Sequence, residues 1–186
     1  QVPRFWLNMI ECFVNNFFSG DFSDYRSIVI KSAHPKIFSP GHNVAELKNF
    51  ELHHEIFGTC KEVMRKIREV DVPVIAQVTG LAVAAGAQLA IAAGLTLISK
   101  NSSTSLSDIT IASENAKFSV PGARTIGLYC HSPAVELARA VPRKIAMDLL
   151  VTGDFMEASD AYRAGMISRL LPDYDACVQA VAGSYK

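Results

Sequence analysis

The sequence predicts an α/β fold, and three observations carry that prediction. Short β-branched runs alternate with helical patterns along the chain. The run over residues 72–78 (VPVIAQV) is apolar on both faces, as a strand covered on both sides requires. Glycine and proline stand at the junctions between these segments. With 186 residues, 49% of them hydrophobic, the chain can bury the core of one domain, and a single domain over 1–186 is expected.

Taken in order, residues 9–18 read as the end of a helix, broken by Ser19-Gly20-Asp21. Residues 26–32 (RSIVIKS) form a β-branched run and are predicted as a strand. The following AHPKIFSPGHN, residues 33–43, holds two prolines and a glycine, which speak against any regular element. A helix is predicted over 52–70, where Leu52, Ile56, Cys60, Val63, Ile67 and Val70 recur every three or four residues with the charges off that stripe. Thr79-Gly80 ends the strand 72–78, a glycine turn follows, and 84–93 is a helix of small residues. Residues 94–107 are polar and serine-rich in their second half and read as an insertion between that helix and the next strand. Strands are expected at 108–113 and 117–120. Ser132 and Pro133 suit a helix start as cap and first residue, respectively. Helices follow at 142–151 and 158–164, with Gly165 in the C′ place. A strand over 166–171 and a helix from Tyr174 complete the alternation.

Composition excludes several classes of function. Eighteen basic and eighteen acidic residues cancel, and no long basic tract exists, so the electrostatic footprint of a nucleic-acid binder is missing. Cys12, Cys60, Cys130 and Cys177 are scattered without a C-x-x-C pair, which suggests neither a metal site nor a disulfide framework and favours a reducing compartment. Residues 72–99 carry no charge, a stretch longer than the ~20 residues that span a bilayer. Pro73, Gly80, Gly86 and Gly94 interrupt it, and Gln77 and Gln88 lie inside it. A buried strand, a turn and a buried helix fit that pattern better than a membrane span.

Two turns, Phe38-Ser39-Pro40-Gly41-His42-Asn43 and Gly80-Leu81-Ala82-Val83-Ala84-Ala85-Gly86, separated by one amphipathic helix and one strand, resemble the paired loops of the crotonase superfamily, the enoyl-CoA hydratase/isomerase family. The stretches VPVIAQVTGLAVAAGAQLA and ELARAVPRKIAMDLLVTG add to the likeness, which runs from about Met9 to Leu171. It implies a ClpP-like spiral of ββα repeats that binds an acyl-CoA and forms a trimer or hexamer of like subunits. It also implies a mitochondrial place in fatty-acid metabolism. The coenzyme-A thioester would be substrate or ligand, with no separate cofactor and no metal. Strands before the first helix and a C-terminal helical region belong to the family pattern, so the chain is expected to be partial at both ends.

Thioester chemistry builds negative charge on a carbonyl oxygen, and paired backbone N–H donors stabilise it. Losing one such donor typically costs ~10²–10³ in rate. The resemblance assigns these donors to His42 and Ala85, with Pro40, Gly41, Ala84, Gly86 and Gly122 around the substrate. Read without it, Gly41 and Gly86 are equally ordinary turn glycines, and His42 an exposed loop side chain. In the hydratases a glutamate stands three residues after the second donor and another in a later turn. Here those places hold Gln88 and either Gly122 or Ala123, so ordinary hydration is not expected. His131 falls near the place of an acidic residue in some family isomerases and could shuttle a proton, or merely cap a helix. Arg124 has two readings, a contact to coenzyme-A phosphates or a solvated loop residue, and Asp154 reads as a helix-entry residue. Ala45, followed by Glu46, stands where many members keep a phosphate-binding lysine.

Overall fold

The structure is a computed structural model and describes residues 25–70, 72–92, 109–127 and 131–184. The readings of 9–18 and 94–107 fall outside these residues. Strands β1 (Ile28–Lys31), β3 (Val74–Val78), β5 (Ile109–Ser113) and β8 (Arg169–Leu171) form one wholly parallel sheet in the order β1-β3-β5-β8. Strands β2 (Ile37–Ser39), β4 (Leu81–Val83), β6 (Lys117–Ser119) and β7 (Met156–Glu157) form a second sheet in that order. Its first three strands are parallel and β7 closes it antiparallel.

Up to β6, successive strands fall alternately in the first and second sheets. Each pair is followed by a helix: α2 (His53–Glu69) after a short α1 (Val44–Leu47) and a 3-10 turn at Phe50–Leu52, then α3 (Ala85–Ala92), then α4 (Gly122–Ile126). The chain thus advances as ββα turns, each adding one strand to both sheets. Helices α5 (His131–Ala140), α6 (Arg143–Thr152), α7 (Ala158–Arg163) and α8 (Tyr174–Ser184) follow.

Burial follows residue chemistry. In β3 all five residues are buried: Val74, Ala76 and Val78 join the main core, and Ile75 meets Ile111 and Cys177 on the opposite face. Helix α2 buries Ile56, Cys60, Val63 and Ile67 of its predicted stripe together with Met64, while Leu52 and Val70 flank its ends. Its Arg68 donates to the buried Glu136 of α5 at 2.7 Å. Helix α3 is built of small residues and buries nearly its whole circumference, and Thr110 of β5 donates to its Ala90 carbonyl at 3.0 Å.

Several expectations need correction. Residues 33–43 do contain a regular element, because the prolines at 35 and 40 stand outside the three residues of β2 and cost it no ladder hydrogen bond. The glycine turn after Gly80 contains β4, held by the Leu81 N–H donating to the Lys36 carbonyl at 3.0 Å. A Cβ on Gly80 would lie 2.2 Å from that carbonyl, so glycine is what lets the two segments pair. Gly122 and Ala123, placed in a turn, lie instead in the first turn of α4. Helix α5 begins at His131, placing Ser132 inside it and not at its cap. Asp154 follows the left-handed Gly153 at the exit of α6 and precedes β7, so it opens no helix. Gly165, at φ +81°, fills the C′ place as read. Among the described residues, no helix is long and apolar enough to cross a membrane, and residues 74–92 hold the expected strand and helix with β4 between them.

Candidate active site

Two chain crossings from the second sheet into helices meet at one place. The first leaves β2 through Ser39, Pro40 and Gly41. Gly41 has φ +86°, a conformation that favours glycine, and its N–H donates to the Ser39 hydroxyl at 3.4 Å. Asn43 then caps α1, accepting from the Ala45 N–H at 3.0 Å. The second crossing leaves β4 at Val83 and enters α3 through Ala84, a non-glycine residue at φ +51°. That conformation costs an alanine roughly 1–2 kcal/mol. It is held from both sides: the Ala84 N–H donates to the Ser119 carbonyl at 2.8 Å, and its carbonyl accepts from the Gln88 N–H at 3.0 Å.

The two crossings pack backbone against backbone. A Cβ on Gly41 would lie 2.8 Å from the Val83 carbonyl oxygen and 3.1 Å from the Ala85 nitrogen. One on Gly86 would lie 2.2 Å from the Ser39 carbonyl oxygen. Both glycines are required by this approach, not by turn geometry alone. Ala85 is the first residue of α3, so its N–H is among those a helix start leaves without an intrahelical acceptor, at the positive end of the helix dipole.

Cavities of about 490 Å³ and 410 Å³ lie on either side of this junction, and Pro40, His42 and Ala85 line both. The larger has apolar walls that include Ile30, Phe38, Val63, Met64 and Leu89, with the exposed Lys31 and His34 at its edge. The smaller is bounded by Leu47, Phe57, Val83 and Ala84 and carries the polar side chains of His42, Gln88, Thr125 and Ser132. Gly122, buried at the start of α4, also lines it. No carboxylate lines either cavity among the described residues.

His42 is half-buried, not the exposed loop residue that its turn suggested. Its ring packs edge-on to Phe57 at 5.7 Å, its Nε2 atom is buried, and burial holds its imidazole below the ordinary value of 6.5. Phe57 in turn packs on His53, whose Nε2 lies 2.6 Å from the Leu47 carbonyl oxygen. Cys60 lines the larger cavity, and burial pushes its thiol up to about 11, which keeps it protonated at neutral pH. Gln88 is 3% exposed, with its Oε1 buried and unpartnered.

The residues named in the sequence therefore fall together: Pro40, His42, Ala84, Ala85, Gln88 and Gly122 on the cavities, Gly41 and Gly86 at the contact between the loops. His131 starts α5 beside the cavity-lining Ser132. Arg124 points instead to the surface, paired with Asp154 at 2.7 Å between two exposed side chains. Sequence reasoning missed Phe57, Thr125 and Ser132. Phe57 stands next to the apolar stripe of α2, and the other two become neighbours of the site only through helices α4 and α5.

A family model described as enoyl-CoA hydratase/isomerase matches residues 8–183. Enoyl-CoA hydratase domain-containing protein 3, mitochondrial, of Rattus norvegicus is 41% identical over 154 residues, covering 81% of this chain and 46% of its own length. The Homo sapiens protein of that name is 40% identical over 157 residues, covering 83% and 46%. The chain thus spans about half the length of the curated relatives it matches. The crystal structure of human enoyl-CoA hydratase domain-containing protein 3 superposes with a TM-score of 0.81 at 36% identity, covering 96% of this chain and 66% of that one. That of an enoyl-CoA hydratase from Mycobacterium smegmatis gives 0.78 at 32%, covering 94% and 63%. The ββα spiral is the crotonase fold that these proteins share, and the chain belongs to the enoyl-CoA hydratase/isomerase family.

Proposed function

We propose that this chain forms the acyl-CoA-binding part of a crotonase-fold protein that stabilises a thioester oxyanion without the acid/base pair of a hydratase. One observation carries the reading: the Gly41 and Ala85 turns touch backbone to backbone where two cavities meet, with His42 and Ala85 on both. Main-chain N–H groups of those two residues supply the donors, and the start of α3 adds its dipole at Ala85. Such donors do not depend on side-chain identity, so histidine and alanine serve equally at these places. Pro40, Gly41, Ala84, Gly86 and Gly122 shape the surroundings of the thioester. Coenzyme A enters as part of the substrate or ligand, and no further cofactor is required.

The proton-transfer side is different. Gln88 stands one turn beyond Ala85, and an amide takes no proton at neutral pH, which forfeits a general-base contribution of ~10²–10⁴. Gly122 and Ala123 supply no second carboxyl group. His131 is the remaining acid/base candidate in this reading. Isomerisation, thioester cleavage and decarboxylation all pass through a stabilised thioester anion and stay open. The relatives named mitochondrial support a mitochondrial place in fatty-acid metabolism, and the family supports a trimer or hexamer of like subunits in the whole protein.

A second reading, favoured by the lack of any carboxylate among the described cavity residues, is a non-catalytic protein that binds acyl-CoA or partner subunits as a regulator. Calorimetry with acetyl-CoA and acetoacetyl-CoA, together with hydration of crotonyl-CoA followed by loss of enoyl absorbance, tests both. Binding is expected, with hydration at or near background. Hydration at rates typical of the family defeats the claim about the acid/base pair. Absence of binding defeats the thioester reading itself, and binding with no turnover of any thioester favours the regulator.

A further inference from the structure

The first donor of the proposed oxyanion site stands at the head of a short lever. His42 precedes Asn43, which caps α1, and α1 is only the four residues Val44–Leu47. A single helical turn is marginal by itself, because fixing its dihedrals costs more than its few hydrogen bonds return. Its direction must be set from outside. Val44 and Leu47 lie on the wall of the smaller cavity that His42 also lines, so any tilt of α1 moves both wall and donor.

His53, the first residue of α2, supplies a hold from outside. Its Nε2 lies 2.6 Å from the Leu47 carbonyl oxygen. A carbonyl can only accept, so this ring nitrogen carries the proton and donates. The oxygen it meets is one of those that a helix end leaves without an intrahelical donor. Two rings pack on the imidazole, Phe50 at 5.0 Å and Phe57 at 5.6 Å, both at the spacing of favourable aromatic pairs. Phe57 also packs edge-on to His42 at 5.7 Å. His53 therefore touches the far end of the lever directly and its head through Phe57.

We propose that His53 is a positioning residue that, by holding the Leu47 carbonyl and the Phe57 ring, fixes the direction of the His42 main-chain N–H. This rests on the oxyanion reading above and adds the residue that aligns one of its donors. His53 lines neither cavity, so it acts only through α1 and Phe57. Alignment matters because a hydrogen bond weakens steeply as its angle closes, and small misplacements in a site are costly.

The test is calorimetric titration with acetyl-CoA and with S-ethyl-CoA, a thioether of similar size that lacks the carbonyl oxygen. The ratio of the two affinities reads the oxyanion donors alone, whereas a general disturbance of the fold lowers both affinities together. The unsubstituted protein is expected to prefer acetyl-CoA about tenfold, the scale of the hydrogen bonds gained. His53→Phe keeps a ring beside Phe57 but has no donor, and is expected to cut that preference to about twofold. His53→Gln, whose amide nitrogen can donate in place of Nε2, is expected to retain it. Urea unfolding checks that each variant is folded, and His53→Met, also without a donor, replaces the Phe variant if that one is not. A preference unchanged in the variants without a donor overturns the proposal and leaves the oxyanion reading intact, even where both ligands bind more weakly. Loss of the preference in His53→Gln also overturns it, since a donor at this place would then not be what aligns His42. Equal affinities in the unsubstituted protein remove the oxyanion reading itself and the proposal with it.

Discussion

At the scale of single residues, the site depends on atoms that are missing. Gly86 packs its Cα against Ser39 so closely that one methyl group would lie 2.2 Å from a carbonyl oxygen and 2.6 Å from the Ser39 Cβ. The start of α3 or the end of β2 would have to shift to admit it. Gly86→Ala is therefore expected to force the two turns apart, lowering stability by about 1–3 kcal/mol, the usual cost of overpacking. It should also abolish acetoacetyl-CoA binding. Urea unfolding and calorimetry read the two effects, and a variant that binds normally would show that the contact between the turns is dispensable. His42 makes a different prediction. Burial holds its imidazole below 6.5, so between that value and the lower native one the unfolded chain takes up a proton that the native chain refuses. Its contribution is fully present above pH 6.5 and is lost as pH falls through the native value. The urea midpoint should drop on going from about pH 7.5 to 5.5, and His42→Gln should drop less. An identical drop in the variant would assign the effect to other groups.

At the scale of elements, what was legible in the chain depended on length and period. Helix α2 buries four residues of the predicted stripe, with Met64 beside them, because a long amphipathic pattern repeats often enough to be unambiguous. Strand β3 was legible as a strand buried on both faces because every residue in it is apolar or small except Gln77. Strands β2 and β4 were not, being three residues each and bounded by the prolines and glycines that mark turns. They exist because a partner strand lies alongside, a non-local fact that no window of sequence contains. The same holds for the ion pair between α2 and α5. Arg68 looks like any solvated helix charge, yet it reaches Glu136, whose side chain is 2% exposed, at 2.7 Å. Removing Arg68 leaves the buried Glu136 carboxylate with only Arg139, 4.0 Å away, as counter-charge. Arg68→Ala is expected to cost about 3 kcal/mol, and Arg68→Met combined with Glu136→Leu to recover most of it. Urea unfolding of the single and double variants decides the matter. A loss of a few tenths of a kcal/mol in the single variant would show that the pair contributes nothing beyond a surface contact.

At the scale of the whole molecule, two sheets fed alternately by one chain bring turns more than forty residues apart in sequence to a single junction, with a cavity on each side. A ligand that sits across such a junction binds the folded chain and not the unfolded one. Acetoacetyl-CoA at about a hundred times its dissociation constant should therefore raise the unfolding free energy by roughly 2.7 kcal/mol. The urea midpoint should climb with ligand concentration, and a midpoint that stays flat would deny a site built by folding. The amino-acid sequence by itself determined the α/β class, the long helix, the buried strand and the two glycine turns, and through those turns the family. All of these are local patterns of apolar spacing and backbone permission. Only the tertiary structure decided that Gly41 meets the backbone of Val83 and Ala85 and Gly86 that of Ser39, that His42 is half-buried, that Arg124 turns to Asp154, and that the Gln88 amide oxygen is left without a partner. Burial and close approach depend on which distant segments pack together, and distance along the chain carries no record of that.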